Sequence, residues 1–244
     1  MNPFRDTSLR QALGALMLLA LATATSGAGA AAPAHQYPPL RDYLMARDAE
    51  IALARSAAPD AVSAHATIKV LTSDGFQVAV AGDNGFVCME MRGWSAPTFT
   101  PAQFRDFVYD AALRAPICFD PVASRTVLPL QELRNALGMQ GNDPDAITRG
   151  VVDAYATGKL PKMDQVAFAY MWSAHQSLGS GIGAFHPHVM VYAPYYDNAM
   201  LGGNAFGGAA PFVSDDAGTP FAVVVIPVHG VAAVDTKAAM EHKP

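Results

Sequence analysis

The chain has 244 residues, 51% of them apolar and 15% charged, with a formal net charge of −5 at pH 7. That balance excludes a chain disordered throughout. Its mild acidity leaves no electrostatic reason to bind nucleic acid or an anionic lipid surface.

Arg5 and Arg10 make a basic lead, residues 12–24 (ALGALMLLALATA) are apolar and uncharged, and TSGAGAAAPA follows with several small-residue cleavage options. This order is that of a secretory signal peptide, residues 1–32, with the cut expected after Ala30 or Ala32. The alternative is an uncleaved anchor, but the apolar run is nearer ~13 residues than the ~20 a spanning helix needs. No cysteine lies near the cut, so a lipid anchor is not expected, and no other segment reaches spanning length without a charge or a proline. The mature chain is therefore expected in the periplasm or the medium, with no stable membrane insertion. Cleavage removes two arginines and one aspartate, taking the formal charge from −5 to −6. The remaining ~210 residues suit one large domain or two small ones, enough to bury roughly 70% of the unfolded surface.

Residues 33–39 (PAHQYPP) form a Pro-rich lead. Residues 40–58 then read as a helix with Leu40, Leu44, Ile51, Ala54 and Ala58 along one face, stopped by Pro59. Three short strands follow, at 66–72, 76–81 and 86–92. Ser73-Asp74-Gly75 marks the first turn, and Asn84-Gly85 is a hairpin signal for the second. On the third strand Val87, Met89 and Met91 share one face while Cys88, Glu90 and Arg92 share the other. These three strands are expected to form an antiparallel meander.

A short helix is expected at 101–114, with Phe104, Phe107, Val108 and Ala111 as its stripe. Cys118 follows in PICFDP, read as an extended connector. Helices are expected at 129–138, with Leu130, Leu133 and Leu137 in line, and at 144–157. The second has Asp143 as cap, Pro144 as first residue and Gly158 as terminator. Its buried face is Ile147, Val151, Ala154 and Tyr155. Strands return at 166–173, 187–193 and 220–228, the last apolar on both faces and so central. Residues 194–219 exceed the ~12–15 residues usual for an unstructured loop, which suggests a functional lid or a mobile excursion. There is no internal repeat. The expected architecture is a single α+β domain over 40–235, with 236–244 as a tail. An antiparallel sheet of about six strands, three before and three after a helical insertion, is covered by helices.

Cys88 and Cys118 are the only cysteines. In an oxidising compartment two cysteines point to one disulfide. Closing a loop of about 31 residues stabilises a fold by roughly 3–4 kcal/mol on the chain-entropy model. Free thiols or a thiol nucleophile are the rival readings, and no histidine lies locally beside either cysteine.

The most suggestive local motif is His186-Pro187-His188. On a strand, His186, His188, Met190 and Tyr192 share one face, opposite the apolar Pro187, Val189, Val191 and Ala193. Two imidazoles at i, i+2 can ligate one metal ion, and zinc would ask for one or two further ligands. Glu90 and His175 are the candidates. Two other readings stay open. His188, Met190 and Tyr192 could line a ligand pocket without metal, under the 194–219 loop. Alternatively, the histidines are structural, with Pro187 starting an edge strand. A divalent metal is the one cofactor candidate.

No G-x-S-x-G, H-E-x-x-H, Walker or S-x-x-K motif occurs. Ser177 to Gly181 lacks the glycine a nucleophile elbow needs, and the glycines of 202–208 do not link a strand to a helix. The methionines at 89, 91, 163, 171, 190 and 200 are scattered, so core filling outweighs copper ligation.

Four stretches, EIALARSAAP (50–59), GFVCM (85–89), PICFDP (116–121) and HPHVMVYAP (186–194), together resemble an uncharacterised family of exported bacterial proteins. The resemblance spans nearly the whole mature chain and implies export. It implies no activity, cofactor or partner. The functional expectation is a non-catalytic module that binds a small molecule or partner. The alternative is a metal-dependent hydrolase using His186 and His188. Whether the chain is an enzyme stays open at this level. The strand–helix–strand order is reminiscent of profilin-like and PAS-like sensor sheets, an analogy of fold alone.

Overall fold

The computed structural model describes residues 37–95, 109–163, 165–179, 183–203, 209–214 and 217–229. The signal segment, the C-terminal tail and residues 101–108 of the expected short helix lie outside the described residues.

The fold is mixed α/β, built on one open sheet. Eight strands run in the order β2-β1-β3-β4-β5-β6-β8-β7. They are β1 (Thr67–Thr72), β2 (Gly75–Val80), β3 (Val87–Met91), β4 (Ala115–Phe119), β5 (Ala167–Met171), β6 (His188–Tyr192), β7 (Phe212–Val213) and β8 (Val223–Pro227). Among the described residues five α-helices accompany them: α1 (Arg47–Arg55), α2 (Asp60–Ser63), α3 (Pro121–Thr126), α4 (Leu128–Met139) and α5 (Pro144–Ala156).

The expected six antiparallel strands are thus eight, and one pairing is parallel. β1 and β2 form the hairpin read from the turn at Ser73-Asp74. β3, however, does not pair with β2; it lies parallel to β1 on its other side. Asn84-Gly85 closes no hairpin, because the chain from β2 wraps around the start of β1. The N–H of Asp83 donates to the carbonyl of His65 at 2.9 Å, and the N–H of Thr67 donates to that of Phe86 at 2.9 Å. Gly82 makes the crossing possible: a Cβ there would lie 2.3 Å from the backbone of Ala66 and Thr67. Asn84 spends its amide on this crossing, donating to the carbonyl of Val62 and accepting from the N–H of Phe86.

β4 departs from the sequence expectation of an extended connector at PICF, forming a strand of the sheet instead. All five of its residues are buried, so it shows no alternation, and Pro116 within it and Pro121 just beyond it read as breakers. Pro116 is tolerated because β4 pairs with β5 only at Cys118 and Phe119. Helix α1 is shorter than the expected 40–58. The chain leaves helical geometry after a 3-10 turn at Leu40–Asp42, and Tyr43, fully buried, stacks on Trp94 with ring centroids 4.1 Å apart. Tertiary packing overrides the helical period there. Residues 109–114, expected to end a helix, form a turn leading into β4.

α5 follows its signals closely. The Asp143 carboxylate accepts from the N–H of Ala146 at 2.7 Å, a side-chain N-cap of the kind worth ~1 kcal/mol. Ile147, Val151 and Ala154 are buried as expected. The segment 194–219 is not structureless, since it carries β7.

Helices lie on both faces of the sheet. Ala54, Ala57 and Ala58, at and beyond the end of α1, pack on Ile68, Cys88 and Cys118. Ala123, Val127 and Leu128, from α3 and the start of α4, pack on the opposite face against Met89, Ile117, Phe119, Ala167 and Ala169. Cys88 and Cys118 sit directly opposite each other on β3 and β4 and form a disulfide, both fully buried. Among the described residues no helix is long and apolar enough to cross a membrane.

Candidate functional site

Register decides which of the expected site residues share a face. His188 pairs with Met171, Met190 with Ala169 and Tyr192 with Ala167. Those β5 residues belong to the face under α3 and α4. His188 and Tyr192 are accordingly buried, at 4% and 5% exposure. The face expected to be open is therefore largely core, with His186 and Met190 half-buried. The opposite face carries Val189 and Val191, both only half-buried. Described residues of the 194–219 segment cover that second face: Leu201 and Ala217 pack against the Val213, Ala222 and Val224 cluster, as do Val191, Ala193 and Ile226. The loop lies over the side of β6 opposite His188.

His188 Nδ1 lies 2.9 Å from the carbonyl of His186. A carbonyl only accepts, so Nδ1 carries the proton and the neutral ring keeps its lone pair at Nε2. Burial lowers the pKa of His188 to about 4; the carbonyl bond opposes this and the His186 ring adds to it. Burial also lowers the pKa of His186, with a contribution from His229. His229 was absent from the sequence-based candidates. It reaches this corner because the N–H of Val228 donates to the carbonyl of Pro187. Phe185 stacks on His186 at 4.2 Å and meets His188 edge-on at 5.2 Å. Gln176, 1% exposed, donates to the carbonyls of Met171, Ser173 and His186. It fixes the approach to β6, and no spacing rule marks it.

The other proposed ligands are elsewhere. Glu90 pairs with Pro116 two register steps from the Cys88–Cys118 pair, and so points to the same α1 face as the disulfide, away from His188. His175 is exposed, beyond the end of β5. Among the described residues no group of three or more His, Cys, Asp or Glu is placed to hold a metal ion.

Glu90 belongs instead to a buried charged cluster. Arg92, fully buried, donates from Nη2 to Glu50 Oε1 at 2.9 Å, from Nε to the carbonyl of Tyr43 at 2.9 Å, and from Nη1 to the carbonyl of Glu90 at 2.6 Å. Glu50 Oε1 also accepts from the N–H of Leu71 at 2.9 Å. One carboxylate of α1 thereby ties that helix to both β1 and β3. Among the described residues the Glu90 carboxyl oxygens have no partner of full hydrogen-bond geometry. Burial raises the Glu90 pKa to about 8, against the opposing pull of Arg92, Arg114 and the Ala115 N–H and with a smaller push from Glu50. A carboxyl held neutral at pH 7 has the right state for acid chemistry, but it is fully buried. The cluster holds α1 in place. Glu50 escaped the sequence reading because it lies in a stretch scored for its apolar face.

The exposed counterpart is the turn after β6. Tyr195 is the one non-glycine residue with positive φ among the described residues, at 67°. Left-handed backbone costs a residue with a Cβ ~1–2 kcal/mol, and such strain concentrates at functional positions. The surrounding bonds impose it: the N–H of Tyr195 donates to the carbonyl of Thr219 at 2.8 Å, and the N–H of Gly218 to that of Tyr196 at 2.7 Å. Asn198 braces the turn on β7, accepting from the N–H of Val213 and donating to its carbonyl. On this rigid frame Tyr195, Tyr196 and Met200 are 62%, 43% and 62% exposed. No lysine or arginine occurs from residue 163 to residue 236, so the turn stands in a part of the chain without cations.

No family model matches this chain, and neither a curated protein nor a solved structure matches it.

Proposed function

We propose that the chain is an exported, non-catalytic binding module whose contact surface is the Tyr195–Tyr196–Met200 turn. The observation that carries this reading is Tyr195 itself. Its backbone is held in a costly conformation while the residue is 62% exposed, so the cost returns little packing among the described residues. Exposed tyrosines on a rigid turn supply large contact area at low entropic cost. A buried disulfide is consistent with folding in an oxidising compartment. The export reading rests on the first 32 residues and on the resemblance to exported proteins.

The histidine corner supports this reading better than the metal-enzyme alternative. One imidazole is buried and engaged through Nδ1, and the two proposed supplementary ligands lie away from it.

The test compares the wild type with a Tyr195→Gly/Tyr196→Ser variant. Photo-crosslinking from position 200 in the secreting cell should give a discrete, saturable adduct with the wild type that disappears in the variant, while the melting temperature does not fall. An adduct pattern identical in the two proteins would remove the turn as the contact surface. Sequencing the amino terminus of the protein outside the cytoplasm checks cleavage near Ala30 or Ala32; an intact Met1 there would overturn the signal assignment.

A further inference from the structure

The two edges of the sheet are unequal. β7, at one edge, has only two residues, both buried. β2, at the other, has six residues, and Gln77 and Val78 are exposed. Edge strands are normally blunted by charge, proline, shortness or a bulge. From Gly75 to Gly82 the sequence GFQVAVAG has neither a charge nor a proline. Among the described residues the blunting lies at the far end, where the register shifts so that Ile68 faces Val80 and Arg47 Nη2 occupies the Ala79 carbonyl at 2.7 Å. Among the described residues no strand pairs with the outer side of Phe76 to Val78.

The register says which backbone groups are open. Thr72 and Gly75 face each other across a two-residue turn, and the pair closing such a turn exchanges hydrogen bonds. Bonded and non-bonded pairs alternate, so Val70–Gln77 is the next bonded pair. The N–H and C=O of Phe76 and Val78 then point outward. Two outward residues flanking one inward residue form a self-complementary edge. With a two-fold axis through Gln77, Phe76 of one copy faces Val78 of the other, and each such pair can exchange two backbone hydrogen bonds. Phe76 and Val78 also share a side-chain face, so the 59%-exposed Val78 would be covered by the half-buried Phe76 of the second copy. No like charges meet along this stretch.

We propose that two copies of this chain pair antiparallel through β2, centred on Gln77, to make one continuous sheet. This does not depend on the turn reading above, which uses the other half of the sheet.

Sedimentation of the disulfide-intact protein over a range of concentrations is the first test, and a reversible monomer–dimer equilibrium is expected. Gln77→Cys is the second. Directly opposed non-bonded residues have Cα atoms about 4.5 Å apart, within disulfide reach, so mild oxidation should give a covalent dimer. The native Cys88–Cys118 bond is fully buried, which keeps it out of exchange. Val78→Lys should weaken dimerisation by about tenfold or more, since it sets a charge against the apolar ring of the second copy. A wild type monomeric at every concentration, with no Gln77→Cys cross-link, overturns the proposal. So does a dimer that neither cross-links at position 77 nor responds to Val78→Lys, because that dimer uses another surface. If Val78→Lys fails to fold, the cross-link alone decides.

Discussion

The two halves of the sheet are stabilised by different physics. Around β1 to β4, charges are buried and answered: Arg92 donates to Glu50 and to two carbonyls, and a disulfide joins facing strands. The stretch that carries β5 to β8, residues 163–236, contains no lysine or arginine. There the chain relies on apolar contact, on amide side chains such as Gln176 and Asn198, and on a loop folded over one sheet face. The comparison teaches where polar residues serve structure and where they are left over. The richest cluster of ionisable groups in the first half is sealed and structural, whereas the second half spends backbone strain on an exposed tyrosine.

The largest expected effect is in the first half. Glu50→Ala would leave Arg92 buried without its countercharge and should cost about 3–5 kcal/mol, as breaking a buried ion pair does. Urea unfolding followed by far-UV circular dichroism measures it, and a loss below about 1 kcal/mol would show that water reaches the cluster. Next is the disulfide. A Cys88→Ala/Cys118→Ala variant should lose about 2–4 kcal/mol, and the native bond should resist reductant until the fold opens, since both sulfurs are fully buried.

The two halves should also respond oppositely to pH. Glu90 has its pKa raised in the fold to about 8, so the folded state holds that proton more tightly than the unfolded state. Its contribution to stability is fully present below the ordinary carboxyl pKa and is lost as pH rises toward about 8. His188 has its pKa lowered to about 4, so its contribution is present above the ordinary imidazole pKa and is lost as pH falls toward about 4. Glu90→Gln should flatten the fall in stability between the ordinary carboxyl range and about pH 8, and His188→Gln the acid limb. Hydrogen exchange read by mass spectrometry would sharpen this, with β3 and α1 loosening first at alkaline pH and β6 and β8 at acid pH. Uniform loosening at both extremes would mean that the halves unfold as one unit and that the contrast is only chemical.

The smallest effect is a gain. Tyr195→Gly relieves the left-handed backbone and should raise stability by up to about 1 kcal/mol, detectable as a higher melting temperature. A loss would mean that the Tyr195 ring packs more than its exposure shows, weakening the case for a contact turn.

Local signals were legible wherever one short segment contains its own reason. Asp143, Pro144 and Gly158 bound α5, the apolar period of 129–138 marks α4, and alternation marks β5 and β6. The pairing of Cys88 with Cys118 needed only a count and a compartment. The candidate site was less legible. His188, Met190 and Tyr192 do share a face, but a strand between two layers has two covered faces, and alternation cannot say which layer lies over which.

Sequence by itself thus determined the class of the fold, most of its elements, the cysteine pair and the expectation of export, because each is set by neighbours within a few residues or by composition. Tertiary structure alone decided that β3 crosses to lie parallel to β1, that PICF is a central strand, that Glu50 closes on Arg92 across 42 positions, and that the histidine face is core while Tyr195 faces solvent. All four depend on contacts between segments far apart in the chain, where burial and register are settled jointly by several elements and no local pattern carries the information.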